Sequence, residues 1–145
     1  MSDGPNDRDH FDQGMQIRRQ VLGDAHVDNA VARETPFTAP FQDFITRTAW
    51  GDVWSRPGLD RQTRSVITLT ALLALGHDAE LAIHVRGALH NGLTREQISE
   101  VFLHAAIYAG VPAGNTAFAV AEEVFASLGD DKSESKTDPE ADREH

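Results

Sequence analysis

A chain of 145 residues, 40% of them hydrophobic, has enough apolar material for a single core. It contains no cysteine, which excludes thiol nucleophiles, disulfide redox chemistry, Fe–S clusters and Cys-based zinc sites. The formal net charge of −10 argues against a nucleic-acid partner, which calls for a basic face, but leaves room for a locally basic pocket.

In chain order, residues 1–6 are polar and carry no targeting pattern. Asp7 to Leu22 reads as a helix, with Phe11, Met15, Arg18/Arg19 and Leu22 at helical spacing and Gly23 as the stop. His26 to Glu34 reads as a short helix, and Phe41 to Trp54 as a longer one. Asp60 has the position of an N-cap for Arg61 to Leu75, and Gly76 ends that helix. Its second half, VITLTALLAL, is apolar nearly all round, which predicts burial in the middle of the fold. Asp78 is placed to cap Ala79 to His90, closed by Asn91-Gly92. Thr94 and Gln97 have capping-box spacing before Ile98, Val101, Phe102 and Ala105. Gly110 ends that helix, and Pro112 opens a last one running to Leu128 with Gly129 after it.

Residues 130–145, DDKSESKTDPEADREH, hold seven acids against three bases and no hydrophobe larger than alanine. Such a segment does not repay the entropy of ordering, so 1–6 and 130–145 are expected to be disordered tails around a folded body over 7–129. Nothing alternates with period two for long enough to make a strand. The fold class is therefore all-α, with six or seven helices. The longest apolar run, Val66 to Gly76, is about half of a membrane span, so the expected location is the cytoplasm, with no membrane partner. The apolar surplus of the 60–76 and 98–125 regions points to a homo-oligomer whose partner subunits cover part of it.

Two clusters carry candidate chemistry. In HDAELAIHVRGALHNG, Glu80 and His84 lie four apart on one helical face. A carboxylate that holds an imidazole orients it and raises its basicity, which is half of an acid–base device. The same spacing also fits a plain surface pair. His77, Glu80 and His84 are metal-ligand types, but their spacing is not that of a zinc protease, and no metal is expected.

The second cluster runs from Ile45 to Leu69. It holds Arg47, Arg56, Arg61 and Arg64, four of the 13 basic residues within 18 positions, with Trp50 and Trp54 four apart. Arginine recognises carboxylates bidentately and tryptophan supplies a flat apolar wall, so the pair of types suits a small organic anion. Core tryptophans with solvated arginines are the competing reading. His26, near the start of its helix, suits a pocket mouth, and His104 reads as a core or interface histidine.

The segments MQIRRQVLGDAHVD (15–28), TRTAWGDVWSRPGLDRQTRSVITL (46–69) and ELAIHVRGALHNGLTREQISEVFLHAAIYAGVPAGNTAF (80–118) resemble the carboxymuconolactone decarboxylase family of the alkylhydroperoxidase-like superfamily. The resemblance covers about residues 8–128. It implies an all-helical homo-oligomer, a trimer or hexamer, and a cofactor-free decarboxylation of 4-carboxymuconolactone to 3-oxoadipate enol-lactone in protocatechuate catabolism. The superfamily's thiol peroxidases use a CxxC pair, which this chain lacks, so peroxidase activity is not expected. The roles implied are His84, positioned by Glu80, as the acid that protonates a dienolate, with Arg47, Trp50, Trp54, Arg64 and His26 binding substrate. His26 is the alternative acid. Two other readings stay open: a lyase or isomerase for another small unsaturated lactone or keto acid, and a non-catalytic oligomer that binds small acids.

Overall fold

The computed structural model describes residues 5–133, and side chains within 7–129. The tails expected at 1–6 and 130–145 lie largely outside the described residues; the first helix begins at Pro5 and the last continues to Ser133. In order, the helices are α1 (Pro5–Leu22), α2 (Asp24–Ala32), α3 (Ala39–Ile45), a π-helical segment (Thr46–Trp54), α4 (Arg61–Leu75), α5 (Asp78–His90), α6 (Arg95–Ala109) and α7 (Val111–Ser133). Among the described residues there is no strand.

Local chemistry sets most of the ends. Gly23 adopts φ 89° between α1 and α2, a region that favours glycine. Asp60 accepts a 2.7 Å hydrogen bond from the Thr63 amide at the start of α4, and Gly76 closes it with φ 72°. Thr94 and Gln97 form the reciprocal capping box of α6.

Four sequence expectations change. The helix expected over Phe41–Trp54 begins at Ala39 and widens into a π-helix from Thr46. There the Thr46 and Thr48 hydroxyls each donate to a carbonyl four residues back, at 2.7 Å, in competition with the regular ladder. Asp78 is the first residue of α5 rather than its cap; the cap position is His77, which makes no side-chain capping bond. Helix α7 runs through Gly129. Helix α4 buries Ser65, Leu69 and Leu73, yet Ile67 and Leu75 are 53% and 68% exposed, so within one chain it is covered on one side only.

Two apolar clusters result. The larger joins α4 to α7 through Leu69, Leu73, Leu81, Val85, Ile98, Phe102, Ala117 and Val124. The smaller joins α1, α2 and the π-segment through Ile17, Val21, Leu22, Val27 and Trp50. Helix α5 belongs to both, because Leu81 and Val85 enter the first while Ile83 packs on the second. His84 lies on this shared helix.

Candidate active site

The π-segment positions a row of flat rings. Trp50 is 5% exposed and stacks on Trp54 with centroids 5.1 Å apart and planes at 26°. On the α5 side the His84 ring lies nearly parallel to Trp50, at 6.3 Å and 10°. A one-turn π-widening is a common device for re-aiming side chains at functional sites. Here it seats two tryptophans against one imidazole.

The His84 side chain is half-buried and makes no hydrogen bond to another described residue. The expected Glu80–His84 hydrogen bond is therefore not made. The ring is oriented by stacking on Trp50 instead, and Glu80, exposed on the first turn of α5, acts by charge on Arg18 and His26.

Burial pushes the His84 pKa down to about 4, and the neighbouring His26 pushes the same way. His26 is itself lowered, first by burial and then by the Arg18 charge, against the opposing pull of Glu80. His84 therefore rests neutral near pH 7, and His26 is shifted in the same direction.

These values carry a stability consequence. The His84 pKa lies near 4 in the folded chain against an ordinary 6.5, so as pH falls the unfolded chain takes the proton first. Folding stability should decline from pH 6.5 to 4, by at most about 3 kcal/mol from this residue. Urea melts at several pH values should show this decline, and it should flatten in His84→Asn.

Arg18 is the residue that sequence reasoning passed over. It is 6% exposed, and its Nη2 donates to Gln42 Oε1 at 3.2 Å. Its Nε is buried and has no hydrogen-bond partner among the described residues. Burial lowers its pKa, partly offset by the charges of Glu34 and Glu80. The signal was present: Phe11, Met15, Arg18 and Leu22 share one stripe of α1, and an arginine inside an apolar stripe is buried with a purpose or a partner.

The arginines named from sequence stand differently. Arg47 donates to Asp43 at 3.0 Å and Asp7 at 2.5 Å, and lies 5.4 Å over the Phe11 ring. Arg64 donates to the Arg56 carbonyl at 3.0 Å, and its Nε is buried without a partner. The structure thus groups His84, Trp50 and Trp54 by contact and His26, Glu80 and Arg18 by charge, while Arg47 is held by Asp7 and Asp43, and Arg64, whose Nε is orphaned like that of Arg18, is absent from the lining of the cavity that Arg18 enters. His104, expected in a core or interface, is exposed on α6 and stacks on Tyr108 at 5.4 Å.

Comparison with known proteins gives the context for this arrangement. The model of the carboxymuconolactone decarboxylase family matches residues 39–123. A 4-carboxymuconolactone decarboxylase of Acinetobacter baylyi is 48% identical over 124 residues, covering 86% of this chain and 92% of the relative. A nitrosuccinic acid decarboxylase of Metarhizium robertsii is 45% identical over 132 residues, covering 89% of this chain and 92% of the relative. A 4-carboxymuconolactone decarboxylase of Pseudomonas putida is 49% identical over 47 residues, 32% of this chain and 98% of the relative.

Proposed function

The chain belongs to the carboxymuconolactone decarboxylase family and is a decarboxylase, and from that premise we propose that it converts 4-carboxymuconolactone to 3-oxoadipate enol-lactone and CO2 in protocatechuate catabolism. The observation that carries the site assignment is His84: a half-buried imidazole with no hydrogen bond to another described residue, stacked on a buried tryptophan.

The chemistry asks for little beyond such a site. The bond from the ring carbon to the leaving carboxylate breaks, and its electron pair moves through the ring double bond onto the lactone carbonyl oxygen. The dienolate then takes one proton at the carbon next to the carbonyl. The lactone is its own electron sink. The protein must shield the leaving carboxylate from water, stabilise the enolate oxygen and deliver a proton. Trp50 and Trp54 supply the apolar wall. His84 delivers the proton, with His26 as the second imidazole and Glu80 acting by charge on His26.

A neutral imidazole can serve as an acid only after it gains a proton. The anionic substrate supplies the reason, since a carboxylate brought close favours the charged form. Binding should therefore take up a proton. Calorimetry with the ring-saturated analogue of 4-carboxymuconolactone, which keeps both carboxylates and lacks the double bond that accepts the electron pair, should give a binding heat at pH 7 that depends on the buffer's ionisation heat. Uptake approaching one proton per site is expected; none would contradict the acid role of His84.

The relatives' names support one substrate feature. Nitrosuccinic acid and 4-carboxymuconolactone both contain a succinate skeleton with an electron-withdrawing group on one carbon. A second carboxylate-bearing arm is common to both, so the site should hold a cation for it.

We also read the chain as a homo-oligomer. Leu103, Ile107, Tyr108 and Val111 are 52%, 79%, 82% and 74% exposed along α6 and the start of α7. They adjoin a groove lined by Val66, Thr70, Val101 and His104, an apolar extent suited to a second copy of this chain. Ile107→Glu should lower the oligomer size in sedimentation. A wild type that sediments as a monomer at micromolar concentration would overturn this.

A further inference from the structure

A buried guanidinium N–H with no acceptor is costly, and native proteins rarely leave one without reason. Arg18 is such a case. One donor is held by Gln42, and the buried Nε has no partner among the described residues. The same side chain lines a cavity of about 240 Å³ between α1, the end of α2 and α3, with Phe11, Met15, Glu34, Gln42 and Thr46. The cavity's walls are otherwise mostly apolar, and Asp43, its other carboxylate, is already bonded to Arg47.

We propose that Arg18, oriented by Gln42, is the anchor for the carboxylate of the substrate's retained carboxymethyl arm, seated in this cavity. The proposal rests on the decarboxylase reading above and adds the residue that fixes substrate orientation. The side-on edge of a guanidinium presents Nε with one Nη in the fork that matches a carboxylate. Glu34 and Glu80 lie in the Arg18 field and temper its charge, which suits one carboxylate better than a doubly charged phosphate. Met15, which lines the cavity beside Arg18, packs against the apolar cluster that contains Trp50, and Trp50 stacks on His84. Thr46, also in the cavity lining, opens the π-segment that carries Trp50, so a carboxylate held at Arg18 would leave the lactone ring to reach along that segment toward the Trp50–His84 pair. Arg47 is already engaged with Asp7 and Asp43, which is a further reason to look to Arg18.

The test uses the full chain and three variants, Arg18→Gln, Arg18→Lys and Gln42→Leu. For 4-carboxymuconolactone, Arg18→Gln should raise KM about 100-fold or more while kcat falls far less. The Ki of muconolactone should rise in parallel. Its uncharged methyl ester should bind wild type weakly and should bind Arg18→Gln equally weakly. Arg18→Lys keeps the charge and loses the fork, so an intermediate rise of about tenfold is expected, and Gln42→Leu should resemble it. Should Arg18→Gln not fold, the lysine and leucine variants give the same reading. An unchanged KM in folded Arg18→Lys and Gln42→Leu would overturn the anchor while leaving the decarboxylase reading intact. An equal loss of affinity for acid and ester would overturn it too. Thermal protection by succinate separates the two claims. Protection of wild type that is lost in the Arg18 variants, without lactone turnover in any of them, would keep the anchor and end the lactone reading.

Discussion

His84→Asn should lower kcat for 4-carboxymuconolactone by about 10² to 10⁴-fold while leaving the helical fold intact. That range is what a positioned acid commonly contributes. Asparagine keeps a polar group near Nδ1 but carries no titrating proton. The ring makes no hydrogen bond to another described residue, so its removal should cost little stability near pH 7. Steady-state kinetics beside a thermal melt separate the two effects. A folded variant with near-wild-type kcat would move the proton to His26, and His26→Ala would then show the large loss instead.

Gly14→Ala should be the most damaging small substitution in the α1 half of the molecule. A Cβ there would lie 2.1 Å from the Thr46 carbonyl oxygen and 3.0 Å from the Gly51 amide nitrogen. Both are backbone atoms of the π-segment, so no change of rotamer relieves the overlap. The helices must separate, at a cost of about 3 kcal/mol or more, equivalent to a melting temperature lower by roughly 10 °C. Activity should fall with stability, because the segment that moves carries Trp50 and Trp54. Gly58→Ala is the control: nothing lies within 4 Å of a Cβ at that position, and a change of only a few tenths of a kcal/mol is expected.

The elements legible in the sequence are those fixed by local chemistry. The start of α4 needs only Asp60 and the Thr63 amide, and the start of α6 only Thr94 and Gln97. Their spacing says where the helices begin whatever surrounds them. The π-segment is different. Its widening combines threonine hydroxyl bonds with the close approach of α1 at Gly14, and the latter partner lies more than thirty residues away. The extent of α7 was also illegible, since a glycine ends a helix only where the chain turns, and here it continues.

The candidate site was legible in the same uneven way. The types and spacing of Trp50, Trp54, Glu80 and His84 singled them out. What spacing did not give is orientation: four residues apart on a helix allows a Glu80–His84 hydrogen bond, but the stacking surface of Trp50 claims the imidazole ring. Arg18 escaped because its importance lies in burial and in Gln42, 24 residues on. The arginine-rich block drew attention to Arg47 and Arg64 by density alone. Density in sequence does not measure what each guanidinium bonds to, and Arg47 bonds to two carboxylates of its own chain.

The central claim is a decarboxylation that delivers one proton to the carbon beside the lactone carbonyl. Incubating the purified chain with 4-carboxymuconolactone in D2O and following the reaction by NMR tests it in one measurement. The account predicts release of CO2 and 3-oxoadipate enol-lactone carrying a single deuterium at that carbon, at a rate that collapses in His84→Asn. Unchanged lactone after prolonged incubation with the folded protein would contradict it.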